Sequence, residues 1–144
     1  MQKKGYYCPR CSARVSGDDN TIVTLKGRLE APLFSVHFDI EIPAQPGVYG
    51  AIFSEGVVLK EGAIIDFLCP HCAADLTLKS NQKHAWLKMI EGEGEEKIIV
   101  FNKVYGEHSS FIFNTETSKI IASYGEHSNM YLEEFNKEVN FFGF

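Results

Sequence analysis

Long apolar runs are missing from this 144-residue chain. Met1-Gln2-Lys3-Lys4 leads through Gly5 to Tyr6-Tyr7-Cys8 with no hydrophobic leader, and no later stretch approaches the length of a membrane span. A cytosolic location is the resulting expectation, with a reducing poise that favours metal thiolates over disulfides. Catalytic signatures are missing too. The chain has no glycine-rich phosphate loop, no G-x-S-x-G and no H-E-x-x-H. An enzyme is therefore the less favoured class. Basic charge is also short, with a net charge of −5. Residues 1–90 carry a net +1 and residues 91–144 a net −6. A nucleic-acid footprint could come only from Lys3, Lys4, Arg10, Arg14, Lys26 and Arg28, and the acidic C-terminal part would repel phosphate. Proline stops at Pro70, and cysteine occurs only four times.

Those four cysteines lie in two short motifs, Cys8-Pro9-Arg10-Cys11 and Cys69-Pro70-His71-Cys72. A C-x-x-C turn presents two thiolates side by side, and two such turns can supply a complete tetrahedral set to one metal ion. Zn²⁺ is the expected ion. Iron in a rubredoxin-like site would use the same four ligands. In these motifs the chain resembles the zinc-ribbon group, whose knuckles often read C-P-x-C-G. The resemblance spans residues 6–15 and 67–75. It departs from the pattern at Ser12 and Ala73, which stand where glycine is usual, and in the 57-residue spacer from Ser12 to Leu68. The resemblance implies a structural zinc site and leaves nucleic-acid binding as an alternative function.

A second resemblance competes. Cys69-Pro70-His71-Cys72 is similar to the active-site motif of DsbA-type thiol oxidoreductases, which would make Cys69 a redox thiol. That reading gives Cys8 and Cys11 no role. It also lacks the downstream cis-proline of thioredoxin-like folds, since no proline follows Pro70.

The rest of the chain reads as strand. Thr21–Leu25 is β-branched. From Phe34 to Ile42 apolar and polar residues alternate, which gives one buried and one wetted face. His37 and Asp39 fall on the wetted face. Val48–Phe53 and Val57–Leu59 are short candidates, and Ala63–Leu68 is a nearly unbroken apolar run expected as a well-buried strand. Ser80 or Asn81 could cap a helix to Ile90, but the glycines in Glu91-Gly92-Glu93-Gly94 favour a hairpin between Ala85–Ile90 and Lys97–Phe101. A meander of Lys97–Val104, Ser109–Asn114 and Lys119–Tyr124 follows. A short helix is expected over 128–138, capped by Ser128, with Tyr131 and Phe135 on one face. Phe141, Phe142 and Phe144 end the sequence as core or contact residues.

The expected fold is therefore mostly β: a zinc-ribbon-like knuckle pair with a long β insertion, then a β-meander and a short C-terminal helix. Residues 1–84 and 85–144 form its two regions, packed as one compact unit. Tyr105-Gly106-Glu107-His108-Ser109 returns as Tyr124-Gly125-Glu126-His127-Ser128, so two similar turns are expected at neighbouring strand ends. Glu107, His108, Glu126 and His127 are the candidate second ligand site. The favoured function is a non-catalytic adaptor whose partner is a protein, built on Cys8, Cys11, Cys69 and Cys72.

Overall fold

The structure, a computed structural model, describes residues 4–17, 20–30, 33, 35–45, 47–54, 59–79, 81–91, 95–117, 119–132 and 135. It is mostly β. Ten strands run in chain order: β1 (Gly5–Tyr7), β2 (Ile22–Glu30), β3 (Ser35–Pro43), β4 (Ile52–Phe53), β5 (Asp66–Leu68), β6 (Thr77–Leu78), β7 (Asn81–Glu91), β8 (Glu95–Asn102), β9 (Ser110–Asn114) and β10 (Ile120–Tyr124). They build two sheets. One follows the order β1-β7-β8-β9-β10, with β6 also pairing β7, and the other follows β4-β3-β2-β5. The four-stranded sheet is the insertion between the two cysteine motifs, and the β7–β10 meander is antiparallel throughout.

The six-stranded sheet has two apolar faces, and this explains its sequence. Leu87 and Met89 on β7, Ile99 on β8 and Ile112 on β9 join Val23, Leu25, Phe38 and Ile40 of the other sheet in one core cluster. The alternate residues Ile98, Val100, Phe111 and Phe113 form a second cluster with Tyr131 and Phe135. Strands covered on both sides read as continuous apolar runs, which is why Ile98-Ile99-Val100-Phe101 shows no period of two. Helical backbone appears at residues 129–132 and 135. The Ser128 carbonyl accepts the N–H groups of Tyr131 and Leu132 there. The remainder of the expected helix, and Phe141, Phe142 and Phe144, lie outside the described residues.

A buried ion pair also joins the sheets. Lys103, just beyond β8, is 4% exposed; its Nζ lies 2.7 Å from Asp66 Oδ1 on β5 and donates to Thr77 Oγ1. Asp66 Oδ2 accepts from Arg28 of β2, which also reaches Asp75 at 3.0 Å.

Several expectations need correction. The helix option over Gln82–Ile90 gives way to β7, because that segment pairs with β8 from His84↔Asn102 to Glu91↔Glu95. Within Val48–Phe53 only Ile52 and Phe53 pair, with β3. The preceding residues instead cross toward the meander, where the Tyr49 ring stacks on His108. Ala63–Leu68 is not an evenly buried strand. Ile65 and Phe67 face the core, whereas Ile64, which precedes β5 and bridges Val104, is 47% exposed. On β3, Phe38 and Ile40 are buried, but Val36 is exposed near the strand's start. Phe34, Val57 and Val58 lie outside the described residues, and Leu59 is not in a strand.

Candidate metal centre and the YGEHS turns

The two C-P-x-C motifs fold into the same local structure twice. Cys8 N–H donates to the Ala13 carbonyl at 2.9 Å, and Ser12 N–H to the Cys8 carbonyl at 3.0 Å. Cys69 N–H donates to Ala74 at 3.0 Å, and Ala73 N–H to Cys69 at 2.9 Å. Single bridges close each knuckle at its base, Tyr7 with Arg14 and Leu68 with Asp75. The turn requires a left-handed residue after the second cysteine. Ser12 (φ 64°) and Ala73 (φ 63°) take that conformation despite carrying a Cβ. Both departures from the C-P-x-C-G pattern thus adopt the backbone geometry that glycine would provide, at a cost.

The knuckles converge. Cys8 Sγ is 3.8 Å from Cys72 Sγ, Cys11 Sγ is 3.7 Å from Cys69 Sγ, and all four sulfurs lie within 4.8 Å of one another. Four sulfurs about 2.3 Å from a tetrahedral ion stand about 3.8 Å apart, so the donor set fits a metal ion. All four cysteines are free, and none of these spacings is that of a disulfide. The N–H groups of Arg10 and His71 each point at the first sulfur of their knuckle, at 3.3 Å. Such donors stabilise thiolates. Burial works the other way, raising the Cys8 thiol and pushing Cys69 up to about 12 despite those backbone hydrogen bonds. The exposed Cys11 thiol is lowered, chiefly by the Ala13 backbone hydrogen bond. A cation among the sulfurs would remove the penalty of placing buried negative charge there. The cluster is compatible with a structural metal site of zinc-ribbon kind. Among the described residues no helix begins at the second knuckle; the chain passes to β6 and β7. Cys69 therefore lacks the helix N-terminus that lowers a redox thiol's pKa.

No family model matches the chain, nor does any curated protein or solved structure. The functional reading rests on geometry.

The echoed turns do meet. Gly106 (φ 93°) and Gly125 (φ 98°) both use glycine's freedom, and a Cβ at Gly125 would collide with the His108 carbonyl. His108 Nδ1 lies 3.1 Å from Glu126 Oε1 and donates to it, while His108 N–H donates to His127 Nδ1 at 2.9 Å. Three of the four expected residues are thus adjacent. The bond from His108 N–H already occupies the Nδ1 lone pair of His127. Glu107 turns elsewhere: Tyr131 OH and Asn102 Nδ2 both donate to its Oε1. Those two bonds hold its carboxyl below the usual range against the opposing effect of burial.

Of the basic residues considered for nucleic acid, Arg14 donates to the Gly17 carbonyl and Asn20, Lys3 lies outside the described residues, and two face acids. Lys26 pairs with Asp39, and Arg28 with Glu30, Asp66 and Asp75.

Sequence reasoning missed a polar chain in the interior. His84 Nδ1–H donates to Asn81 Oδ1 at 3.1 Å, and Ser109 Oγ–H donates to His84 Nε2 at 2.9 Å. Ser109 Oγ in turn accepts from Asn102 Nδ2 at 2.8 Å. The order Ser–His–Asn has the form of a hydrolase triad, but Ser109 and His84 are 0% exposed, so no substrate reaches the hydroxyl. The chain is a satisfied core network, enclosed by the rings of Phe111, Tyr131 and Phe135. Local sequence gives no signal for it, because Asn81 and Ser109 lie 28 positions apart in the numbering and meet only across the meander.

Ala73→Gly relieves the left-handed strain while adding freedom to the unfolded chain; the balance is a gain of about 0.5 to 1 kcal/mol. The melting temperature of the metal-loaded protein is expected to rise by about 1 to 3 °C; a fall of similar size would contradict it. Burial holds His84 down to about 4 from 6.5. Its contribution to stability is complete above about pH 6.5 and is lost as pH falls towards 4, on the order of 3 kcal/mol in full. Its NMR ring resonances should stay constant between pH 7.5 and 5.5, and a midpoint near 6.5 would contradict the burial argument.

Proposed function

We propose that this protein is a non-catalytic binding module, an adaptor whose fold is held by a structural Zn²⁺ centre at Cys8, Cys11, Cys69 and Cys72. The closed four-sulfur cluster carries the reading. Four protein thiolates fill the coordination sphere of zinc and leave no position for an activated water. Zn²⁺ is preferred to iron on the length of the insertion, since rubredoxin-like sites sit in compact chains. The four free thiols suit a reducing compartment such as the cytosol.

A protein partner is supported by β10. This outer strand pairs with β9 and, among the described residues, with no other strand. Ile120–Tyr124 has no charged residue to discourage further pairing, and Ile121 is 50% exposed. An extended segment of a partner can add to such an edge through main-chain hydrogen bonds. Nucleic acid is the lesser reading, because Lys26 and Arg28 already face carboxylates.

Untagged protein purified under reducing conditions is expected to carry one zinc per chain by elemental mass spectrometry. Its thiols should react with a disulfide reagent only after chelation, and it should not reduce insulin. Protein without metal, with a fast-reacting Cys69 and insulin-reductase activity, would replace this reading with thiol–disulfide exchange. A nucleic-acid affinity that falls steeply with salt would replace the adaptor role with the ribbon alternative.

A further inference from the structure

Between the sheets lies an open cavity of about 570 Å³. That is the size range of small-molecule sites, which are characteristically apolar with a few placed polar groups. Its floor comes from both sheets and includes Ile40, Ile65, Phe67, Leu87, Ile99 and Phe101. Its rim comes from elsewhere. Tyr49 stacks on His108 with ring centroids 4.4 Å apart, and its hydroxyl lies 3.2 Å from Ser110 Oγ. Phe53 and Tyr105 face one another at 6.0 Å. The turns that carry His108 and Glu126 therefore form part of the mouth of an apolar cleft.

Charge decides what suits that mouth. Glu61, Glu107 and Glu126 all line the cavity. Glu61 forms no ion pair among the described residues, Glu126 accepts from the His108 ring at 3.1 Å, and the Glu107 carboxylate is directed to Tyr131 and Asn102. The lysine in the lining is Lys103, whose ammonium is bound by Asp66. An anionic head group would meet unbalanced carboxylates, whereas a cation would be attracted by them and by the faces of the rim aromatics. We propose that this cavity binds a small organic cation, with its apolar body between the sheets and an ammonium group at the Glu61–Glu126 mouth beside Tyr49 and Tyr105. The site is separate from the cysteine cluster, so it stands or falls independently of the metal.

Three probes of equal chain length test it by calorimetric titration of the intact metal-loaded protein: octyltrimethylammonium, octanoate and octanol. The cation is expected to bind 1:1 and at least tenfold more tightly than octanoate. Glu61→Gln combined with Glu126→Gln should weaken the cation severalfold and leave octanol unchanged. Neither residue is buried, so the fold is not at stake. As a readout that needs no variant, the methyl resonances of Ile40 and Ile99 should shift on addition of the cation. Octanoate binding as tightly as the cation would overturn the proposal. So would the absence of binding by all three probes, or binding that leaves those methyls unmoved. Equal affinity for the cation in the doubly substituted protein would overturn the role of the mouth carboxylates.

Discussion

The structure depends on a junction of four sulfur atoms. Cys8 and Cys11 follow β1, which belongs to the six-stranded sheet, whereas Cys69 and Cys72 follow β5, which belongs to the four-stranded one. A metal ion held by both knuckles would therefore tie the two sheets together at the points where their chains leave them. The free energy of structural zinc binding is about 10–16 kcal/mol, comparable with the whole stability of an ordinary domain at about 5–15 kcal/mol. Such an ion would not act alone, because a two-sheet core and a second apolar cluster are also buried. Loss of the metal would thus loosen the union of the sheets before it erased each sheet's own pairing.

The other links between sheets are polar and less forgiving. Asp66 stands three residues before Cys69 and binds both Arg28 of its own sheet and the buried Lys103 of the other. A buried cation without its carboxylate would carry an uncompensated desolvation cost. On the far face of the meander, Asn81, His84, Ser109 and Asn102 satisfy one another in sequence, which fixes the register where the helical segment packs. Beside the shared core the cavity opens at the edge of the sheets, and the echoed turns reach its rim.

How much of this could be read from sequence depends on the range of the interaction. Spacing within four residues exposed the cysteine knuckles, and the matched prolines marked them as a pair. The β7–β8 hairpin was legible because its turn glycines and flanking apolar runs are local. The Y-G-E-H-S echo was legible for the same reason, and the structure places His108, Glu126 and His127 together. Glu107 shares the motif but bonds to Tyr131, and no turn chemistry could have indicated that. Val48–Ala51 looked like strand on composition alone, yet Tyr49 finds its partners in the later meander. The burial of Lys103 and His84 has no local sequence signal, because the groups that bury them come from distant strands. The knuckle departures at Ser12 and Ala73 were visible as letters, but their left-handed backbone was not.

The most direct test of the junction is X-ray absorption at the metal edge of the purified protein. A first shell of four sulfur atoms at about 2.3 Å, with no lighter ligand, is the predicted result. A shell containing nitrogen or oxygen, or fewer than four sulfurs, would mean that the two knuckles do not close on one ion. The account of how the sheets are held together would then be wrong.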